Sequence, residues 1–158
     1  ERLTILPGSP EDWQRACELA RQVEHPRLEV LPLQSLAAQL VVLLLSQVDE
    51  EPEPATDTVQ EVIGRLRTAD IVREQGIWQA IRLDAASERV RGEELVDVLL
   101  RALDALGAEA AESCTIVVGE AVPLVAPLRE AITARWPHLT VEWFWGHQPA
   151  PALSLALE

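Results

Sequence analysis

The stretch LTILPGSPEDWQRACELARQVEHPRLEVL, residues 3–31, holds two short apolar runs separated by one amphipathic segment. Leu3 to Leu6 is strand-like, Pro7-Gly8-Ser9-Pro10 is a turn, and Pro10 to Val23 has helical spacing. Ser9 suits the N-cap, Pro10 the first helical position, and Glu11 with Asp12 the positive end of the helix dipole. Trp13, Ala16, Cys17 and Ala20 then share one stripe for packing on a sheet. After His25-Pro26, the run Leu28 to Leu31 reads as a second strand ended by Pro32. A helix crossing over between two strands makes them parallel, so the chain opens with a βαβ unit.

Beyond it, Leu33 to Val48 reads as a helix apolar on nearly all sides, which implies burial on more than one face. Asp49-Glu50-Glu51-Pro52-Glu53-Pro54 breaks it with two prolines and four carboxylates and marks a linker. Thr56 with Asp57 can cap a helix to about Ala69, and Ile71 to Asp84 reads mainly as strand. Glu93 to Leu106 is amphipathic, with Leu95, Val98, Leu99, Ala102, Leu103 and Leu106 on one face and Gly107 as its stop. Cys114 to Val118 is a strand, Pro123 to Trp136 a helix, and Thr140 to Trp145 and Leu153 to Leu157 are strands around the turn forced by Pro149 and Pro151. The expected class is α/β, a layered βαβ architecture with mixed sheet in two small lobes: a partial lobe at residues 1–50 and a C-terminal lobe at 51–158. The chain has no Met and opens directly into a strand, so we expect a piece of a longer polypeptide whose missing part completes the first sheet. A truncated first lobe exposes a strand edge, which favours association, a homodimer included.

Composition narrows the chemistry. The 158 residues are 48% hydrophobic and 25% charged, with 13 basic residues against 26 acidic. Every basic residue is Arg, which excludes a P-loop Lys and a Schiff-base Lys. A net charge of −13 repels a phosphate backbone, so nucleic acid and anionic lipid surfaces are not expected partners. Leu36 to Leu45 is half the length that spans a bilayer, and no membrane span is expected. Cys17 and Cys114 lack metal-ligand spacing and read as small core residues, which fits a reducing cytoplasm.

No catalytic residue and no metal ligand stands out. The six serines show no nucleophile elbow, the seven glycines form no phosphate loop, and the acidic run reads as solvated linker. His25 and His138 sit beside prolines in turns. Gly146-His147-Gln148-Pro149 follows Trp143-Phe144-Trp145, a local density of rings and polar tips. Two readings stay open: a turn whose rings finish the core or an interface, or a ligand or partner contact made by Gly146, His147, Gln148, Trp143 and Trp145.

Further residues carry a family resemblance. Thr115-Ile116-Val117-Val118-Gly119-Glu120, then Trp136-Pro137-His138-Leu139-Thr140-Val141-Glu142, then Gly146-His147-Gln148-Pro149 and Glu158 resemble the C-terminus of bacterial fatty-acid kinase A subunits, a dihydroxyacetone-kinase-like family also described as having a DAK-phosphatase-like region. Leu6-Pro7, Val30-Leu31-Pro32 with Gln39, and Ile71 to Arg82 are similar to earlier segments of the family. Gly8-Ser9 stands where the family has an Asn pair, Leu33 where it has Thr, and His147 where it has a second Gly. The resemblance implies a DegV-like, carrier-like fold and a non-catalytic accessory region that docks or regulates a DegV-like acyl-carrier protein. It places ATP and Mg²⁺ in an N-terminal domain absent from this segment, within a parent kinase subunit, and implies no cofactor here. The alternative is a lipid-binding domain, with an acyl chain among apolar helices such as Leu33 to Val48 and its head group near His147 and Gln148. A phosphatase or kinase activity within the segment is the remaining option.

Overall fold

The computed structural model describes residues 3–7, 9–23, 28–48, 56–82 and 89–158. Contacts divide the chain into two units, Glu1–Leu66 and Arg67–Glu158.

In the first unit β1 (Leu3–Ile5) and β2 (Leu28–Val30) pair in parallel, Leu3 opposite Leu28 and Ile5 opposite Val30, joined through helix α1 (Pro10–Val23). The βαβ order read from the sequence is the observed one. Ser9 caps α1: its Oγ accepts the Asp12 N–H at 3.1 Å and donates to Asp12 Oδ2 at 2.8 Å, satisfying a first-turn donor that the helix itself leaves open. α2 (Leu36–Val48) starts later than the apolar run suggests. Buried Ser35 takes the cap position, its Oγ accepting the Ala38 N–H at 3.4 Å. α3 (Thr56–Arg65) completes the unit. Leu31, Leu33, Ala38 and Val42 form its core, with Leu6, Val59, Ile63 and Leu66 packed against them. The Gln39 amide donates to the Leu6 carbonyl at 2.7 Å and ties α2 to the end of β1.

The division at Leu66/Arg67 differs from the boundary expected at residues 50/51, because Val59 and Ile63 of α3 pack on the first unit's core. The helix expected to reach Ala69 stops at Arg65, since from Arg67 onward apolar residues alternate with polar ones and the chain is already strand. The linker at 49–54, His25 and the side chains of Thr56 and Asp57 lie outside the described residues.

The second unit runs β3 (Arg67–Glu74), β4 (Ile77–Arg82), β5 (Arg89–Gly92), α4 (Leu95–Leu106), a 3₁₀ turn (Ala108–Ala110), β6 (Ser113–Val118), α5 (Ala126–Arg135), β7 (Thr140–Trp145) and β8 (Leu153–Leu157). Its six strands form one mixed sheet in the order β5-β4-β3-β8-β6-β7; β6 and β7 are parallel and the other neighbours antiparallel. The segment from Ile71 is a hairpin and not one strand: Gln75 (φ 50) and Gly76 (φ 84) both adopt the left-handed conformation that a tight two-residue turn requires. β5 carries no strand signal in the sequence, because Arg89-Val90-Arg91-Gly92 has one apolar position. α4 ends where the sequence places its stop, at Gly107 (φ 82), whose N–H donates to the Asp104 carbonyl at 2.9 Å.

Ile71, Trp78, Ile116 and Leu155 of the strands and Leu99, Leu103, Leu128 and Ile132 of the helices belong to one core. α4 and α5 therefore cover one face of the sheet. Strand alternation turns Asp70, Gln79, Thr115 and Ser154 to the other.

Candidate functional site

The face turned away from α4 and α5 carries a row that crosses the sheet. Ile81 lies opposite Asp70, Asp70 opposite Ser154, Ser154 opposite Val117, and Val117 opposite Phe144. At its centre the Ser154 hydroxyl donates to Asp70 Oδ1 at 2.7 Å. Burial pushes the Asp70 carboxyl up to about 6, with the Ser154 hydrogen bond pulling the other way. Ionisation of this group is thus moved close to neutral pH, on an otherwise apolar row. Sequence reading missed the pair. The available signal was one polar residue inside each of two apolar runs, Ala69-Asp70-Ile71-Val72 and Leu153-Ser154-Leu155-Ala156-Leu157.

Of the expected site residues, Trp143 and Trp145 lie within β7, and Gly146, His147 and Gln148 follow its carboxyl end beside that of β6. Their loop is fastened at several points: Gly119 N–H to the Ala152 carbonyl at 2.8 Å, Glu120 N–H to the Gln148 carbonyl at 3.0 Å, and Gly146 N–H to the Val118 carbonyl at 2.9 Å. The Gln148 amide turns inward and donates to the Pro151 carbonyl at 3.1 Å, while its Oε1 is buried without a partner among the described residues. A Cβ on Gly146 collides with that Oε1 and lies 2.7 Å from Val117 Cγ1, so the inward placement of the Gln148 side chain uses the space that glycine leaves.

His147 is exposed, has φ 52, and stacks on Trp145 with ring centroids 6.3 Å apart. Trp145 is itself 58% exposed. Trp143 does not join them: it packs on the helix-side core with the Arg129 guanidinium 5.6 Å from its ring centre. The structure therefore brings His147 and Trp145 together as an exposed pair. It makes Gly146 and Gln148 the fastening of the loop and assigns Trp143 to packing.

The first unit keeps its own apolar surface. On α2, Leu43 is exposed and Leu40, Val41, Leu44 and Leu45 are only partly buried. Among the described residues no group of three or more His, Cys, Asp or Glu is placed to hold a metal ion. No helix among them is long and apolar enough to cross a membrane.

No protein-family model matches the chain, and no curated protein does. Solved structures do. A fatty-acid-binding DegV-family protein from Thermus thermophilus matches at 18% identity and TM-score 0.59, over 99% of this chain and 71% of that one. A DegV-family protein from Eubacterium eligens, loaded with heptadecanoic acid, matches at 14% identity and TM-score 0.62, over 100% and 73%. The Bacillus subtilis fatty-acid-binding protein DegV matches at 12% identity and TM-score 0.61, over 99% and 70%. The likeness covers both units, and it carries the DegV-like part of the resemblance drawn from the sequence. The chain has the DegV-like fold.

Proposed function

We propose that this chain binds a long-chain fatty acid. One observation carries the reading: essentially the whole chain shares its fold with solved proteins that bind fatty acids, one of them loaded with heptadecanoic acid. The second unit has the chemistry such a ligand needs. Ile81, Val117 and Phe144 give an apolar row for an acyl chain, and the Asp70–Ser154 pair and exposed His147 give polar groups for its head. Mass spectrometry of a denaturing organic extract of the purified chain tests the reading. A stoichiometric fatty acid is expected, and an acid-free extract from a chain that also takes up no added acid overturns it.

The narrower reading, an accessory region of a fatty-acid-kinase-like subunit that docks an acyl carrier, with ATP and Mg²⁺ held elsewhere in the parent, rests on the sequence resemblance. The stacked and exposed Trp145–His147 pair favours it as a contact platform. The comparisons support fatty-acid binding better. Titration with an acyl-carrier protein, followed through the tryptophans, separates the two: saturable change at Trp145 supports docking, and an unchanged signal leaves the lipid reading alone.

A further inference from the structure

A groove of about 520 Å³ opens on the second unit where β3 and β5 end and β4 begins, at the lateral edge of the sheet opposite β7. That volume lies within the usual range for small-molecule sites. Gln79, Ile77, Glu74, Arg91 and Glu93 line it. Gln79 stands directly opposite Arg91 in the sheet register. The Gln79 side chain is only 5% exposed, and its amide has no hydrogen-bond partner among the described residues. The amide itself is not sealed off, since among the described residues the fully buried side-chain polar atom without a partner is Gln148 Oε1, so the Gln79 amide is open to the groove it lines.

The charges point the same way. Glu74, Arg91 and Glu93 make no ion pair among the described residues, although elsewhere Glu61–Arg65, Asp97–Arg101 and Asp104–Arg135 do pair. One cation beside a neutral donor and two carboxylates, gathered around one groove and not neutralising one another, complement a ligand that carries both signs. We propose that this groove binds a small zwitterion of the α-amino-acid or dipeptide type. Its carboxylate meets the Arg91 guanidinium and the Gln79 amide N–H, its ammonium meets Glu74 and Glu93, and an apolar side chain lies on Ile77, which is 42% exposed. This site is independent of the fatty-acid reading.

Calorimetric titration of the intact chain with L-leucine and glycyl-L-leucine tests it, with N-acetyl-leucine and leucinamide as analogues lacking one charge each. Saturable binding of at least one zwitterion is expected, weakened about tenfold or more in either blocked analogue and in Arg91→Gln. Gln79→Leu is expected to act likewise, and exposed Arg91 keeps the test open if the buried substitution disturbs folding. Absence of saturation by either zwitterion up to about 10 mM, or equal binding of the blocked analogues, overturns the proposal.

Discussion

Replacing Asp70 by Asn tests the physical character of the sheet face directly. The side chain keeps its shape, and Asn Oδ1 can still accept the Ser154 hydroxyl that now donates at 2.7 Å. The wild-type carboxyl titrates at about 6 in the folded chain and at about 4 when unfolded. The folded state therefore holds the proton more tightly than the unfolded state. Stability from this group is fully present below about pH 4 and is lost as pH rises through about 6. At about 1.4 kcal/mol per pH unit, the wild type loses about 3 kcal/mol over that window. Asp70→Asn loses nothing there, and the other carboxylates cancel when the two proteins are compared at each pH. Urea unfolding followed by tryptophan fluorescence is expected to show the advantage of Asp70→Asn growing by about 2 kcal/mol between about pH 4.5 and about pH 8. A difference that stays constant with pH refutes the reasoning, because Asp70 then ionises as readily in the folded chain as in the unfolded one.

Three further substitutions probe other levels. Gly119→Ala places a Cβ 2.5 Å from the Pro151 carbonyl oxygen and 2.7 Å from that of Gln148; backbone must shift, and a loss of about 2–3 kcal/mol in urea unfolding is expected, whereas a neutral result shows the loop to be looser than described. Ser9→Ala removes the cap of α1 and is expected to cost about 1 kcal/mol, read as a lowered unfolding midpoint; an unchanged midpoint counts against the capping role. His147→Gly keeps the left-handed backbone at φ 52 while deleting the imidazole. Its dissociation constant for heptadecanoic acid is expected to rise about tenfold with little change in stability, and an unchanged constant removes His147 from the head-group role.

Local grammar made much of the fold legible. Ser9-Pro10-Glu11-Asp12 specifies a helix start through capping and dipole chemistry, and the parallel pairing of β1 and β2 follows from the helix between them. Gly107 ends α4 in the left-handed conformation its position suggested. What was not legible depends on partners distant in sequence. β5 has one apolar residue and is a strand because Gln79 and Ile81 of β4 lie opposite Arg91 and Arg89. The Gln75-Gly76 turn lacks the Asn or Asp that usually announces such a hairpin. At the site, the cluster around His147 is visible as composition, but the inward turn of Gln148 and the packing of half-buried Trp143 against the helix-side core are not. The Asp70–Ser154 pair joins residues 84 positions apart, so only the sheet register reveals it.

Under the proposed function, the DegV-like fold of this chain holds a fatty acid. Equilibrium titration of the delipidated intact chain with heptadecanoic acid, read through its five tryptophans, tests this most directly. A saturable signal at one acid per chain, weakened in His147→Gly, is expected. A folded chain that shows no saturable change, with the same acid remaining free in solution, contradicts it.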